Sequence, residues 1–160
     1  MAYSDTINDK LATLERRGQK VEARRRQAEQ SLSACQDIRS HLQQQRQEFE
    51  DRQDYRRAAL CGLREDAPQC RGTELFLDMM TNRIQGSPYI NIADSYDETL
   101  RHVDSQVEEQ ELQIKDCNRQ MDDIEEDKTY YKKKLKRAKE EEQEMAREQQ
   151  RLETPKEGDR

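Results

Sequence analysis

Apolar residues recur along this chain in two long stripes at heptad spacing, with a segment of different character between them. In the first stripe one heptad position, here called d, holds Ile7, Leu14, Val21, Ala28, Cys35, Leu42 and Phe49 without a break. Its companion a position is mixed: Leu11, Gly18, Arg25, Leu32, Arg39, Arg46, Gln53 and Leu60. The second stripe carries Tyr96, Val103, Gln110, Cys117, Ile124, Tyr131, Ala138, Met145 and Leu152 at d. At a it carries Leu100, Val107, Ile114, Met121, Lys128, Leu135, Glu142 and Gln149. A 3.5-residue repeat keeps such positions on one helix face, where they meet a partner helix. The pattern predicts long helices over 6–66 and 95–153, each ~90 Å long at 1.5 Å per residue.

The ends carry punctuation. Thr6 with Asp9 is placed to cap the first helix, and Pro68 to stop it. Ser95 and Glu98 form an S-x-x-E capping box for the second, because a short oxygen side chain accepts from the free amides of a first turn. Thr154, Pro155 and Gly158 end it and leave 154–160 as a disordered tail. Two helices of matched length joined near mid-sequence pack most economically antiparallel, since parallel packing needs a connector as long as the helices. The expected fold is all-α: a single antiparallel two-helix coiled-coil hairpin over 1–154.

The joint, 67–94, is read as a bend with a short apolar helix and a kink. Pro68, Gly72, Gly86 and Pro88 punctuate it, and Thr73 is placed to cap a helix from about Glu74 to Gln85. Its apolar cluster is the densest in the chain, and a connection this long needs structure or a function of its own. Leu75, Phe76, Met79, Met80, Ile84, Tyr89 and Ile90 are therefore the candidate partner-binding residues. The coiled-coil seam is assigned chiefly to Ile7, Leu14, Val21, Leu42, Phe49, Val103, Ile114, Ile124 and Leu135.

Composition narrows the picture. With 31% hydrophobic and 40% charged residues and no Trp, the chain falls short of the ~45–50% apolar content of a thick core. Such a composition suits either disorder or long helices with a narrow buried seam, and the periodicity selects the helices. The net charge of -6 argues against a nucleic-acid partner, which would call for a basic face. No run of ~18 apolar residues suggests a membrane span. The first ten residues lack an apolar signal core, so the expected location is the cytoplasm, with export lacking a cleavable signal as the other option.

Candidate chemistry is thin. His41 and His102 stand isolated among polar helical residues, and no phosphate loop or nucleophile motif accompanies them. The expectation is a non-enzyme without cofactor or metal. Cys35 and Cys117 read as small seam residues. Cys61 and Cys70 flank the bend, and whether any of the four forms a disulfide stays open. The basic run from Lys132 to Lys139 is interrupted by Leu135 and followed by Glu140, Glu141 and Glu142, which reads as a solvated helix face. The charged a residues Arg25, Arg39, Arg46 and Lys128 weaken the seam but restrict its register, and suggest support from a helix outside the chain.

The centre of the chain resembles the small helical-hairpin partner proteins encoded beside LXG-domain toxins in type VII secretion of Gram-positive bacteria. The matching run is Cys70-Arg71-Gly72, then Phe76 and Asp78, Arg83-Ile84, Tyr89 and Ile92, then Leu100, Val103 and Val107. It covers roughly residues 30–125, and Cys70 stands where that family's W-x-G motif has its Trp. The resemblance implies a partner that is the helical domain of a secreted toxin, bound to assist its recruitment or export. Two other classes fit a charged hairpin of this size: the coiled-coil stalk of a flagellar or type III export ATPase, and a self-associating scaffold.

Overall fold

The computed structural model describes residues 2–66 and 70–153, and among them only Cys70 and Gly86 lie outside helix. The fold is all-α: α1 (Ala2–Asp66), α2 (Arg71–Gln85) and α3 (Ser87–Glu153). Two compact units divide the chain, 1–28 with 113–160, and 29–112. In the first unit Lys10 lies over the Tyr131 ring, while Arg24 donates to Gln120 (2.8 Å) and Arg25 to Asn118 (3.4 Å). In the second, Arg39 pairs with Asp104 (2.9 Å) and Arg46 with Asp97 (2.6 Å). Within each unit α1 numbers rise as α3 numbers fall, so the two helices run antiparallel, as in a helical hairpin. Among the described residues no helix is long and apolar enough to cross a membrane.

The a/d register holds. Ile7, Val21, Ala28, Val107, Cys117, Ile124 and Ala138 are buried, and Leu14, Leu42, Phe49, Val103, Ile114 and Leu135 are half-buried. Val21, Cys117 and Ile124 form the centre of the first unit, with Leu14 and Met121 packed against them. Gly18 leaves the space beside which Ile124 and the Lys128 ammonium sit. The Lys128 side chain is 17% exposed and its ammonium pairs with Glu125 (2.7 Å), so a largely buried cation at a seam position is met by a carboxylate three residues earlier on its own helix. Hydrogen bonding from Lys128 and its charge, with a smaller contribution from Lys132, hold the Glu125 carboxyl below the usual range. Of the seam arginines, Arg25 pairs with Glu22 of its own helix (3.0 Å), while Arg39 and Arg46 find carboxylates on α3. Half-exposed pairs of this kind contribute only ~0.2–1 kcal/mol each, and their main effect is on register.

Several predicted boundaries move. α1 begins at Ala2, and Thr6 and Asp9 lie inside it; the Asp9 carbonyl accepts from the Thr13 hydroxyl (2.8 Å). Met145, expected in the seam, is 58% exposed. The first turn of α1 is already level with Lys134, whose ammonium lies over the Tyr3 ring, so among the described residues none of α1 lies opposite Met145. Ser95 is mid-helix and its carbonyl accepts from the Thr99 hydroxyl (2.7 Å), so it opens nothing. The second long helix starts at Ser87, and the short helix starts at Arg71 with Cys70, not Thr73, in the N-cap position. Pro68 and the 154–160 tail lie outside the described residues, as does the Leu152 side chain.

α2 passes into α3 with a single-residue interruption. The Gly86 amide donates to the Asn82 carbonyl (2.8 Å), and the Ile90 amide to the Gly86 carbonyl (3.1 Å). Pro88 falls in the first turn of α3, where amides have no helical partner and a missing N–H costs little. A Cβ on Gly86 would collide with both oxygens of Asn82, whereas one on Gly18 would meet Ile124 and Lys128 at an ordinary 3.8 Å. The two alanine variants should therefore differ in sign when melted by circular dichroism. Gly86→Ala is expected to lose about 1–3 kcal/mol, and Gly18→Ala to gain up to about 1 kcal/mol from helix propensity.

Candidate functional site

In the second unit the end of α1 and α2 share a small core. Leu60, Leu77 and Ile84 are buried together, with Met80 packed against them. Arg64 donates to Asp78 (2.8 Å) and Thr81 (3.4 Å) across the same interface. Leu77, Thr81 and Ile84 recur at helical spacing, which aims one face of α2 at α1.

That face does not use all of the apolar residues of α2. Leu75 is 64% exposed, Phe76 51% and Met79 53%. Ile90, in the first turn of α3, is 49% exposed. A helix with apolar side chains beyond its core-facing stripe normally buries them against a second neighbour. Phe76 and Met79 are three residues apart and Phe76 and Met80 four, so they form a continuous patch with the packed face. Of the seven candidate partner residues, four are exposed and Met80 is half-buried.

Ile84 and Tyr89 are engaged within the chain. Ile84 is only 6% exposed. The Tyr89 hydroxyl donates to the Glu50 carboxylate at 2.8 and 3.0 Å. Its ring stacks on Phe49 with centroids 5.7 Å apart and 11° between planes, and the Arg57 guanidinium lies 4.9 Å from it. An apolar ring with a polar tip fits this half-buried position, which fastens the start of α3 to α1.

An open groove runs beside the packed face. Tyr55, Ala59 and Leu63 of α1 form one wall, and Met80, Arg83 and Ile84 of α2 the other, around a volume of about 440 Å³. Tyr55 and Leu63 are 77% and 54% exposed. The first-helix wall was not among the sequence candidates. Its signal was present as an apolar series at i, i+4 and i+8, offset from the seam and overshadowed by it.

All four cysteines are free: Cys117 buried, Cys35 half-buried, Cys61 and Cys70 exposed. The Thr73 hydroxyl, 3.0 Å from Cys70 Sγ, holds that thiol below its ordinary pKa, and the amides at Thr73 and Gly72 act in the same direction. A depressed pKa keeps the thiolate, which is the nucleophile, present at lower pH and loses it only as pH falls through the shifted value. Iodoacetamide labelling of Cys70, followed by mass spectrometry, should thus have a midpoint below that of the same residue in urea-unfolded protein. Thr73→Val should return the midpoint toward the unfolded value. His41 is exposed and contacts Gln45 (3.0 Å), and His102 is exposed. Among the described residues no group of three or more His, Cys, Asp or Glu is placed to hold a metal ion.

Comparison with protein-family models, curated proteins and solved structures finds no match for this chain.

Proposed function

We propose that this chain is a non-enzymatic protein-binding hairpin, in which the a/d seam holds the helices together and the apolar surface of α2 engages a helical partner. The observation that carries the reading is the exposure of Leu75, Phe76 and Met79 on a helix whose other face already has its core. Surface apolar residues scattered singly need no explanation, but a clustered set rimmed by polar residues marks an interaction site. The resemblance to the partner proteins of LXG-domain toxins gives the reading a concrete form, with a toxin's helical domain as the partner and export assistance as the task. In that form Cys70-Arg71-Gly72 opens the helix that presents Phe76.

The direct test is the pair of variants Phe76→Glu and Met79→Glu, made in the full chain and co-expressed with a neighbouring helical-domain protein. Loss of co-purification with unchanged helicity supports the reading; retained binding in both variants opposes it. Self-association through the same patch is the second reading, because a second copy would also cover these side chains. Light scattering over a concentration series separates the two: a mass that doubles with concentration, and stays single in Met79→Glu, favours the homo-oligomer.

A further inference from the structure

The groove between the end of α1 and α2 has a chemical character that the exposed patch alone does not convey. Its apolar walls are flanked by two guanidiniums, Arg56 and Arg83. Neither has a carboxylate three or four residues away in the sequence: Arg56 is flanked at those spacings by Arg52, Gln53, Ala59 and Leu60, and Arg83 by Met79 and Met80 of α2 and by Gly86 and Ser87 beyond its end. Nearby arginines are different. Arg52 pairs with Glu48 (3.4 Å), Arg57 with Asp54 (2.9 Å) and Arg64 with Asp78 (2.8 Å). In a chain with six more acids than bases, the groove is thus bordered by positive charge that its own helices do not match.

The shape is equally specific. Tyr55, Ala59 and Leu63 repeat every four residues along α1, and Met80 with Ile84 repeat every four along α2. A trough with such walls accepts the stripe of an amphipathic helix, which presents apolar anchors at i, i+4 and i+7. We infer that the groove receives an amphipathic helix of a partner protein whose apolar stripe is flanked by carboxylates, with those carboxylates meeting Arg56 and Arg83. The inference rests on the protein-binding reading above and adds the partner's chemistry to it. Charges at such a rim steer the encounter and set specificity more than they add raw affinity. Discrimination between acidic and basic partners is therefore the property to measure.

The probe is a hydrocarbon-stapled helical peptide of about 18 residues, stapled because an isolated helix of that length is marginal in water. It carries leucines at i, i+4, i+7 and i+11 and glutamates on both flanks. Its counterpart has lysine at every glutamate. Binding of each to the full chain is followed by fluorescence anisotropy, with circular dichroism to confirm that the variants keep their helicity. The glutamate peptide is expected to bind at least about tenfold more tightly, with the difference shrinking as salt is raised and screening shortens the reach of the charges. In Arg56→Glu/Arg83→Glu the preference is expected to invert.

Equal binding of the two peptides, binding of neither, or a preference that survives the double charge reversal would each overturn the inference. The protein-binding reading is separable from it. If the charge-reversed chain keeps its natural partner while Phe76→Glu/Met79→Glu loses it, the groove assignment falls and the wider reading stands. If neither variant loses the partner, both fall.

Discussion

Replacing Ile124 with alanine is expected to lower the stability of the chain by about 2–5 kcal/mol, a fall in Tm on the order of 10 °C for a protein of this size. Ile124 is 1% exposed and shares its cluster with Val21 and Cys117. The seam is one side chain wide, so few neighbours can move in to fill the hole. Gly18, facing Ile124 with no side chain of its own, makes collapse harder still. Ile124→Val removes one methyl and should cost about 0.5–1.5 kcal/mol. Met145→Ala, at the same heptad position but 58% exposed, should change the melting temperature little. A seam in which all three substitutions cost the same would contradict the register described.

The second large effect concerns binding rather than folding. Phe76 and Leu77 are adjacent in sequence and are 51% and 7% exposed. Phe76→Glu/Met79→Glu should leave helicity and Tm nearly unchanged, since exposed substitutions usually stay within about 0.5 kcal/mol. The affinity for the partner should fall at least about thirtyfold, the loss of a single interface hot spot of about 2 kcal/mol. Leu77→Ala should behave in the opposite way. It opens the Leu60–Ile84 core and costs about 2–5 kcal/mol of stability, with affinity reduced only through unfolding. Isothermal titration together with thermal melts on the same preparations separates the two outcomes.

The seam was legible in the sequence because a heptad repeat leaves its mark at every seventh residue over tens of residues. The helix starts were not. Ser95 and Glu98 match a capping box, yet in a chain with 35 acids an S-x-x-E sequence also arises inside helices, where tertiary packing decides. Pro88 read as a breaker and is instead tolerated in a first turn, so the kink shrank to Gly86. The exposed patch was partly legible: Leu75, Phe76, Met79 and Ile90 were found from composition. Tyr89 was grouped with them because nothing local announces a hydrogen bond to Glu50, 39 residues away. The groove wall at Tyr55, Ala59 and Leu63 was missed for a different reason. Two apolar series on one helix overlap in any single-period count, and the stronger hides the weaker. The partners of Arg39 and Arg46 likewise became visible only once Asp104 and Asp97 were placed opposite them.

Residue-resolved hydrogen exchange, on the chain alone and in the complex purified from the cells that make it, tests the protein-binding account most directly. Added protection is expected in α2 and in 55–63 of α1, with residues 7–28 of the first unit unchanged. Protection confined to 113–153, or no difference between free and complexed chain, would contradict it.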